Sequence, residues 1–457
     1  MQEDGNGMSE LDGTEPHVVP TRAKRDGETQ MGPQPRRKSW AEPLIWTDRM
    51  LAALEEGVKG GKWYSLMDKL YPGDVLRAAF KEVSANKGAA GVDHVTIDHF
   101  AKELEENLAR LSDDLATGIY RPQAIRRHYI PKLGSKELRP LGIPTVRDRV
   151  VQTALRMVLE PIYEQNFAEQ SYGFRPERGC KDALRRVDAL LKTGHCHVVD
   201  ADLKSYFDTI PKDRLLALIK QRVTDGRILA LVEKFLNQRV LDGAKEWTPE
   251  NGTPQGAVVS PLLSNIYLDP LDHLMAERGY EMVRYADDFV VLCRSPEDAA
   301  AALEELARWT AEADLLLHPT KTRIVDARTE SFDFLGYRFA PNGRWPRDKS
   351  LTKLKDTIRA KTKRTSGYSL EAIVDNLNKT LRGWFEYFRH SHRAIFRQLD
   401  GWIRRRLRSL LRKRAKRKGI SPGKGADHQR WPIAYFNKLG LLNMQLAHAQ
   451  ACQPSCR

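Results

Sequence analysis

The sequence predicts an α+β fold followed by an all-α region, and three observations carry that prediction. Two separated segments, His197–Leu203 and Met282–Cys293, are short, apolar and β-prone, and a turn interrupts the second so that it reads as a β-hairpin. Neighbouring segments, such as Asp74–Ser84 and Glu297–Glu312, carry apolar residues at helical spacing. Beyond about Ser350 only helical patterning remains, and the charge balance changes with it. At 457 residues the chain is long enough for two to four domains with their own cores.

The hairpin, residues 281–294, reads EMVRYADDFVVLCR, with Asp287 and Asp288 adjacent at its bend. Neighbouring carboxylates repel and resist desolvation unless a cation lies between them. Mg²⁺ takes one or two carboxylates together with substrate phosphates. A solvated Asp–Asp turn is the plain alternative, but these flanks are too apolar for one. A third carboxylate is available in residues 197–210, HVVDADLKSYFDTI. Strand alternation puts Asp200 and Asp202 on the same face, and alternation alone does not separate them as ligands. A strand carboxylate beside a hairpin pair matches two-metal phosphoryl transfer, where ions roughly 3.5–4 Å apart hold the attacking and leaving oxygens. Asp208 reads as a turn or cap residue ahead of Ile210-Pro211.

Tyr285-Ala286-Asp287-Asp288 resembles the YxDD box of reverse transcriptases, and DLKSYFD, starting at Asp202, resembles their first carboxylate motif as group II intron reverse transcriptases, or maturases, spell it. Further blocks follow in that family's order from about Asn86 to Leu442, among them SYGFRPERGC, GTPQG, FDFLGYRF and RWPIAYF. The resemblance implies a right-hand polymerase: fingers and palm with a ferredoxin-like antiparallel palm sheet, then an all-α thumb, also called the maturase or X domain. Its implied boundaries are a disordered leader over 1–45, an N-terminal extension and fingers over 46–197, a palm over 198–345, a thumb over 346–442 and a tail over 443–457. The implied function is RNA-directed DNA synthesis by a protein encoded in a group II intron, copying intron RNA into cDNA and binding that RNA to assist splicing and mobility. Its partners would be the intron RNA, a target DNA primer and deoxynucleoside triphosphates, in the bacterial cytoplasm and, as a ribonucleoprotein, at the nucleoid. An RNA-binding splicing maturase with an idle polymerase scaffold, and a reverse transcriptase repurposed for defence or repair, stay open as other functions.

The resemblance also assigns residues. Asp202, Asp287 and Asp288 would hold two Mg²⁺ ions. Lys132 and Arg139 bracket a hairpin whose cations would grip the triphosphate, Arg as a bidentate fork and Lys as a point charge; from the residues alone a solvated basic hairpin is as good a reading. The Phe207 ring would lie under the sugar and exclude a 2′-hydroxyl, Gln255 would contact the nucleotide, and Lys321 would sit near the triphosphate as a proton donor or remain a salt-bridged surface lysine.

Composition narrows the classes. A net charge of +15 points to a polyanionic partner. Five scattered cysteines argue against a disulfide framework. No stretch approaches the roughly 20 apolar residues of a membrane span, and the polar first residues do not form a signal peptide.

In chain order, Thr47 or Asp48 is placed to cap a helix that Gly57 ends, and Asp74–Ser84 and Ala101–Leu115 follow as helices. Arg126–Ile130 and Leu138–Ile143 pair as strands across a loop at Gly134, and Arg147–Arg149 opens a helix to about Leu159. Arg175 and Arg178 read equally as template contacts or as acid-paired arginines. A helix over Pro211–Val223 follows, then Ser260 as the cap of a helix with Pro261 in its first turn. Glu297–Glu312 should turn Ala300, Leu303, Leu306 and Trp309 inward. Residues 351–420 hold 21 lysines and arginines against five acids, so the chain's positive charge is concentrated there. A helix over Gly401–Lys418 would face Ile403, Leu407, Leu410 and Leu411 inward and Arg404, Arg405, Arg408, Arg412, Lys413 and Lys416 outward. Phosphate counterion release would reward RNA binding by such a face, mainly through shape and phosphate. About fifteen residues follow Leu442, too few for the DNA-binding and endonuclease regions that many relatives carry.

Overall fold

The computed structural model describes residues 40–131, 138–415 and 426–451. Strands β1 (Ile125–Pro131) and β2 (Leu138–Ile143) form the predicted antiparallel hairpin, and β3 (His197–Asp202) follows the helices Val146–Glu164 and Cys180–Lys192. A short hairpin, β4 (Val240–Asp242) and β5 (Lys245–Trp247), extends the first sheet to the order β2-β1-β4-β5, with β4 parallel to β1. The central sheet takes its strands from three places: β6 (Glu281–Tyr285), β7 (Asp288–Cys293) and β8 (Arg323–Asp326) join β3 in the antiparallel order β6-β7-β3-β8. Strands β9 (Phe332–Phe334), β10 (Tyr337–Ala340) and β11 (Gly343–Pro346) make a third, antiparallel sheet. The fold is therefore α+β, as expected, with two antiparallel sheets and one mixed sheet, and beyond β11 the described elements are helices.

The alternation of β3 and β7 sorts the central sheet's two faces. Val199, Ala201, Phe289, Val291 and Cys293 enter the largest apolar core, where the helices Ser260–Glu277 and Pro296–Glu312 pack. Val198, Val290 and Leu292 face the other way, onto Cys180–Lys192 and β9–β10. Burying each such side chain contributes roughly 1.5–3 kcal/mol. The register pairs Val198 with Leu292, Asp200 with Val290 and Asp202 with Asp288, so the second face runs from apolar residues directly into carboxylates.

Several expectations are corrected. The leader was expected to reach residue 45, but Ala41, Ile45 and Trp46 are buried in the main core; residues 1–39 lie outside the described residues. The helix expected over 101–115 breaks at Glu103 into Ile97–Lys102 and Leu104–Ala116, and Asn107 Nδ2 donates to the freed Phe100 carbonyl at 3.1 Å. Ser260 is a helical residue and not the cap; its hydroxyl donates to the Pro254 carbonyl at 2.9 Å. In Pro296–Glu312 the fully buried stripe is Ala299, Ala302, Leu306 and Thr310, and Ala300 faces outward. The loop at Gly134 lies outside the described residues.

The C-terminal helices share a separate core built from Leu370–Phe388 and Ala394–Arg414. The tail expected from residue 443 is, over Met444–Ala451, a docked helix whose first amides, Met444 N and Gln445 N, donate to the Asp400 carboxylate at 3.2 and 2.9 Å. Among the described residues no helix is long and apolar enough to cross a membrane.

Candidate active site

Asp202 ends β3, Asp288 begins β7, and the two are direct cross-strand partners. Tyr285 faces Asp288 across the hairpin, and Ala286-Asp287 make the turn. Ala286 is left-handed, with φ 59°, a conformation that costs an L-residue roughly 1–2 kcal/mol. The turn is held in that shape from behind. Arg284, with no exposed side-chain surface, donates through Nη1 to the Ala286 carbonyl at 2.9 Å and to Asn265 Oδ1 at 3.0 Å, and its other edge forks onto the equally buried Asp272. Asn265 in turn donates to the Gly173 carbonyl at 2.8 Å. A side chain at Gly173 would place its Cβ 2.3 Å from the Ala286 nitrogen, so only glycine lets that segment press on the turn.

The carboxylates feel one another. Burial, then Asp287, Asp200 and Asp202, push the Asp288 carboxyl up to about 7. Burial raises Asp287 as well, and Asp202 adds to it while Arg139 and Arg284 oppose. Asp200 is pushed up to about 6 by burial, against the pull of Arg323, whose Nε lies 3.6 Å from Asp200 Oδ2. Lys321 forms an ion pair with Asp202. Among the described residues no three His, Cys, Asp or Glu side chains already converge as metal ligands. Asp202 is turned to Lys321, and Asp287 and Asp288 lie beside it. This is a donor set of hard carboxylate oxygens whose mutual repulsion a dication would relieve, and Mg²⁺ needs only one or two of them alongside substrate phosphates. The residues present fit such an ion.

The other predicted residues surround this end of the sheet. Arg139 lies on β2 opposite Ile130, and its charge acts on both Asp287 and Asp208. Phe207, half-buried in the short helix Tyr206–Thr209, lines a cavity of about 180 Å³ with Arg127, Pro140, Gly142, Asp208 and Gln255. Gln255 Nε2 donates to Asp208 Oδ2 at 3.4 Å, while its carbonyl accepts from the Gly142 amide at 2.6 Å and ties the GTPQG loop to β2. Lys132 and Lys416 lie outside the described residues.

Two groups of arginines are corrected or resolved. Arg408 and Arg412 do not join an outward basic face: they are 5% and 9% exposed. Arg408 Nε donates to the Trp431 carbonyl at 2.9 Å, its guanidinium lies over the Phe436 ring, and Arg412 pairs with Asp427. The segment 427–436 returns over that flank of the helix and covers it. Arg405 and Lys413 are exposed and Arg404 is half-buried. Arg175 is the acid-paired alternative, buried against Glu164, with Nε 3.0 Å from both carboxylate oxygens. Arg178 donates to the Glu169 carbonyl at 2.8 Å.

Sequence reasoning missed Asp208 as part of the cavity wall, and it missed the Arg284–Asp272–Asn265 clamp. The available signal for the clamp was a single charge inside an otherwise apolar strand, which burial tolerates only with a partner.

A family model described as reverse transcriptase (RNA-dependent DNA polymerase) matches residues 130–339, and one described as group II intron, maturase-specific domain, matches residues 351–431. Protein YkfC of Escherichia coli (strain K12) is 36% identical over 304 residues, 58% of this chain and 79% of that protein. The group II intron-encoded protein LtrA of Lactococcus lactis subsp. cremoris is 39% identical over 206 residues, 45% of this chain but 34% of LtrA. A solved structure titled as a partial Cas6-RT-Cas1–Cas2 complex overlaps 54% of this chain and 41% of its own at 22% identity and a TM-score of 0.35. The chain belongs to the group II intron reverse transcriptase/maturase family.

Proposed function

We propose that the protein is an RNA-directed DNA polymerase that copies the RNA of its own group II intron and binds that RNA to assist splicing and mobility. The observation that carries the proposal is the pairing of Asp202 with Asp288 beside the Asp287 turn, at the polar end of an otherwise apolar sheet face. In this reading residues 46–197 are extension and fingers, 198–345 the palm and 346–442 the thumb. The ribonucleoprotein would work in the bacterial cytoplasm and at the nucleoid.

Asp202, Asp287 and Asp288 would hold two Mg²⁺ ions. Bound there, the ions would lower the pKa of the primer 3′-hydroxyl and take up charge on the departing pyrophosphate. The chain's own residues supply position. Arg139, with Lys132, grips the triphosphate. Phe207 supports the sugar and excludes a 2′-hydroxyl, and Gln255 is fixed by its bond to Asp208. Lys321, ion-paired with Asp202, would give a proton to the leaving pyrophosphate oxygen. Most of the acceleration is positioning and electrostatics. The exposed Arg405 and Lys413, with the half-buried Arg404 beside them, contact intron RNA phosphates.

Primer extension on an RNA template tests this. The wild type should extend a DNA primer, and Asp287→Ala should abolish extension while intron RNA binding persists. A wild type that binds intron RNA but never extends would leave the RNA-binding splicing function in its place.

A further inference from the structure

Phe174 is a large aromatic residue that the fold leaves 47% exposed, and its backbone is left-handed, with φ 56°. Both features work against folding. A half-exposed ring forgoes much of the gain from burial, and the left-handed region crowds the Cβ of an L-residue. Such a conformation persists where its surroundings over-determine it, and these do. On one side Asn265 Nδ2 donates to the Gly173 carbonyl at 2.8 Å. On the other, the buried Arg175 guanidinium donates to the Ala168 and Ser171 carbonyls at 2.6 and 2.9 Å and pairs with Glu164 at 2.7 Å.

The same segment is registered on the catalytic hairpin. Residues 170–172 run parallel to β6, the outer strand of the central sheet: the Arg284 amide donates to the Gln170 carbonyl at 2.9 Å, and the Tyr172 amide donates to the Arg284 carbonyl at 2.8 Å. Gly173 then packs backbone to backbone on Tyr285 and Ala286. Phe174 comes next, its ring centroid 6.3 Å from that of Tyr285 and its plane tilted by 45°. Two rings from separate segments therefore stand together beside the residues that lead into the Asp287-Asp288 bend.

We propose that Phe174 is a substrate-binding residue, whose exposed ring packs against the sugars and bases at the end of the primer–template duplex. The inference rests on the polymerase reading above. A primer whose 3′-hydroxyl meets Asp202, Asp287 and Asp288 brings its last nucleotides within reach of side chains that border the bend. A polymerase must hold every sequence alike. An aromatic face does so, because it meets bases and sugars without reading their donors and acceptors. Charge directs the duplex to the hairpin and not to the cavity that Phe174 also borders. That cavity is lined by Glu42, Glu82 and Glu160 against Arg156 and Arg175, a balance that repels phosphate. The exposure and the backbone strain at Phe174 are then the conditions of its use.

The test uses full-length wild type, Phe174→Gly, Phe174→Tyr and Phe174→p-benzoylphenylalanine, with a DNA primer annealed to an RNA template. Glycine removes the ring and suits the left-handed backbone, so Phe174→Gly should melt within a few degrees of wild type. Its affinity for primer–template, read by fluorescence anisotropy, should fall roughly 5–100-fold, the loss of one base–aromatic contact. Phe174→Tyr keeps the ring and should recover most of that affinity. On irradiation the benzophenone should form adducts within about three base pairs of the primer terminus, at about 3.4 Å per step. Labelling the primer or the template shows which strand lies on the ring. Equal affinity of wild type and Phe174→Gly, no recovery in Phe174→Tyr, or adducts only to the protein's own chain would overturn the inference alone. Wild type that binds primer–template but adds no deoxynucleotide would overturn the polymerase reading instead.

Discussion

Asp202 and Asp288 stand directly opposite each other on adjacent antiparallel strands, on the face where Val198 and Leu292 pair four residues deeper. An apolar cross-strand pair at one end and a carboxylate pair at the other is costly for a solvent-facing sheet edge. It becomes economical when a cation is shared. Removing either carboxylate charge should therefore cost chemistry and not folding. Asp202→Asn or Asp287→Ala should lower primer extension by about three orders of magnitude or more, the scale of losing several kcal/mol of charge stabilisation. Intron RNA affinity should stay within about twofold. Single-turnover extension and filter binding on the same preparations check both halves.

The raised Asp288 carboxyl makes a pH prediction for metal-free protein. A carboxyl whose folded pKa lies above its unfolded value favours the folded state while protonated. That contribution is full below 3.8 and is lost as pH climbs from there through about 7. In chelator, then, Asp288→Asn should melt on the order of a few degrees above wild type at pH 8. The advantage should shrink steadily toward pH 4.5. Added Mg²⁺ at pH 8 should reverse it, because only the wild type gains from the ion. Thermal melts across that range, with and without Mg²⁺, read the outcome; a constant difference at all pH values would refute it.

The carboxylates were legible because a strand has a period of two. Once 197–203 and 282–293 read as strands, the shared face of Asp200 and Asp202 followed from spacing alone, and the DD bend marked the hairpin end. Which of the two strand carboxylates faces Asp288 needed the register, which spacing does not contain; the register chooses Asp202 and leaves Asp200 to Arg323. Arg408 and Arg412 were misread for a different reason. A helical wheel shows which residues share a flank but not what covers it, and the cover comes from residues 427–436, beyond the helix itself. The left-handed Leu335 in the turn between β9 and β10, φ 47°, was invisible too, since leucine is a poor left-handed residue and Arg347, Ser350 and Tyr387, from elsewhere in the chain, donate to the carbonyls of that turn.

The buried Arg284–Asp272 pair gives a stability prediction with an internal control. Arg284→Met strands a buried carboxylate and should destabilise by about 3–5 kcal/mol. The double change Arg284→Met with Asp272→Leu removes both charges and should recover much of that loss. It should not recover extension, since the Ala286 carbonyl still lacks its donor. Denaturant unfolding and extension assays on the same three proteins separate the two effects.

Gly173→Ala tests the turn from its other side. The new Cβ would sit 2.3 Å from the Ala286 nitrogen and 2.8 Å from the Tyr285 carbonyl carbon, both backbone atoms that cannot swing aside. Accommodating it moves the hairpin bend, and Asp287 with it. A shift near 1 Å at reacting groups costs about 10²-fold, whereas the overpacking itself costs about 1–3 kcal/mol. Extension should fall by one to two orders of magnitude in a protein that is still folded and still binds RNA at 25 °C. Normal extension would mean that the turn is not clamped.

The basic helix separates charge that contacts RNA from charge that holds the fold. Arg405 and Lys413 are exposed, so each alanine change should weaken RNA binding roughly equally for all sequences and reduce the log–log salt slope by about one. Arg408 is buried, with Nε bonded to the Trp431 carbonyl and its plane over Phe436. Arg408→Ala leaves that carbonyl without its donor and should cost about 1–3 kcal/mol of stability. Its salt slope should stay close to wild type below the melting transition, because a guanidinium already spent on a carbonyl and a ring releases no counterion when RNA arrives. Titrations at several salt concentrations, run beside thermal melts, distinguish the two kinds of arginine. An Arg408→Ala slope that falls as far as the Arg405→Ala slope would return Arg408 to the RNA-facing surface from which the structure removes it.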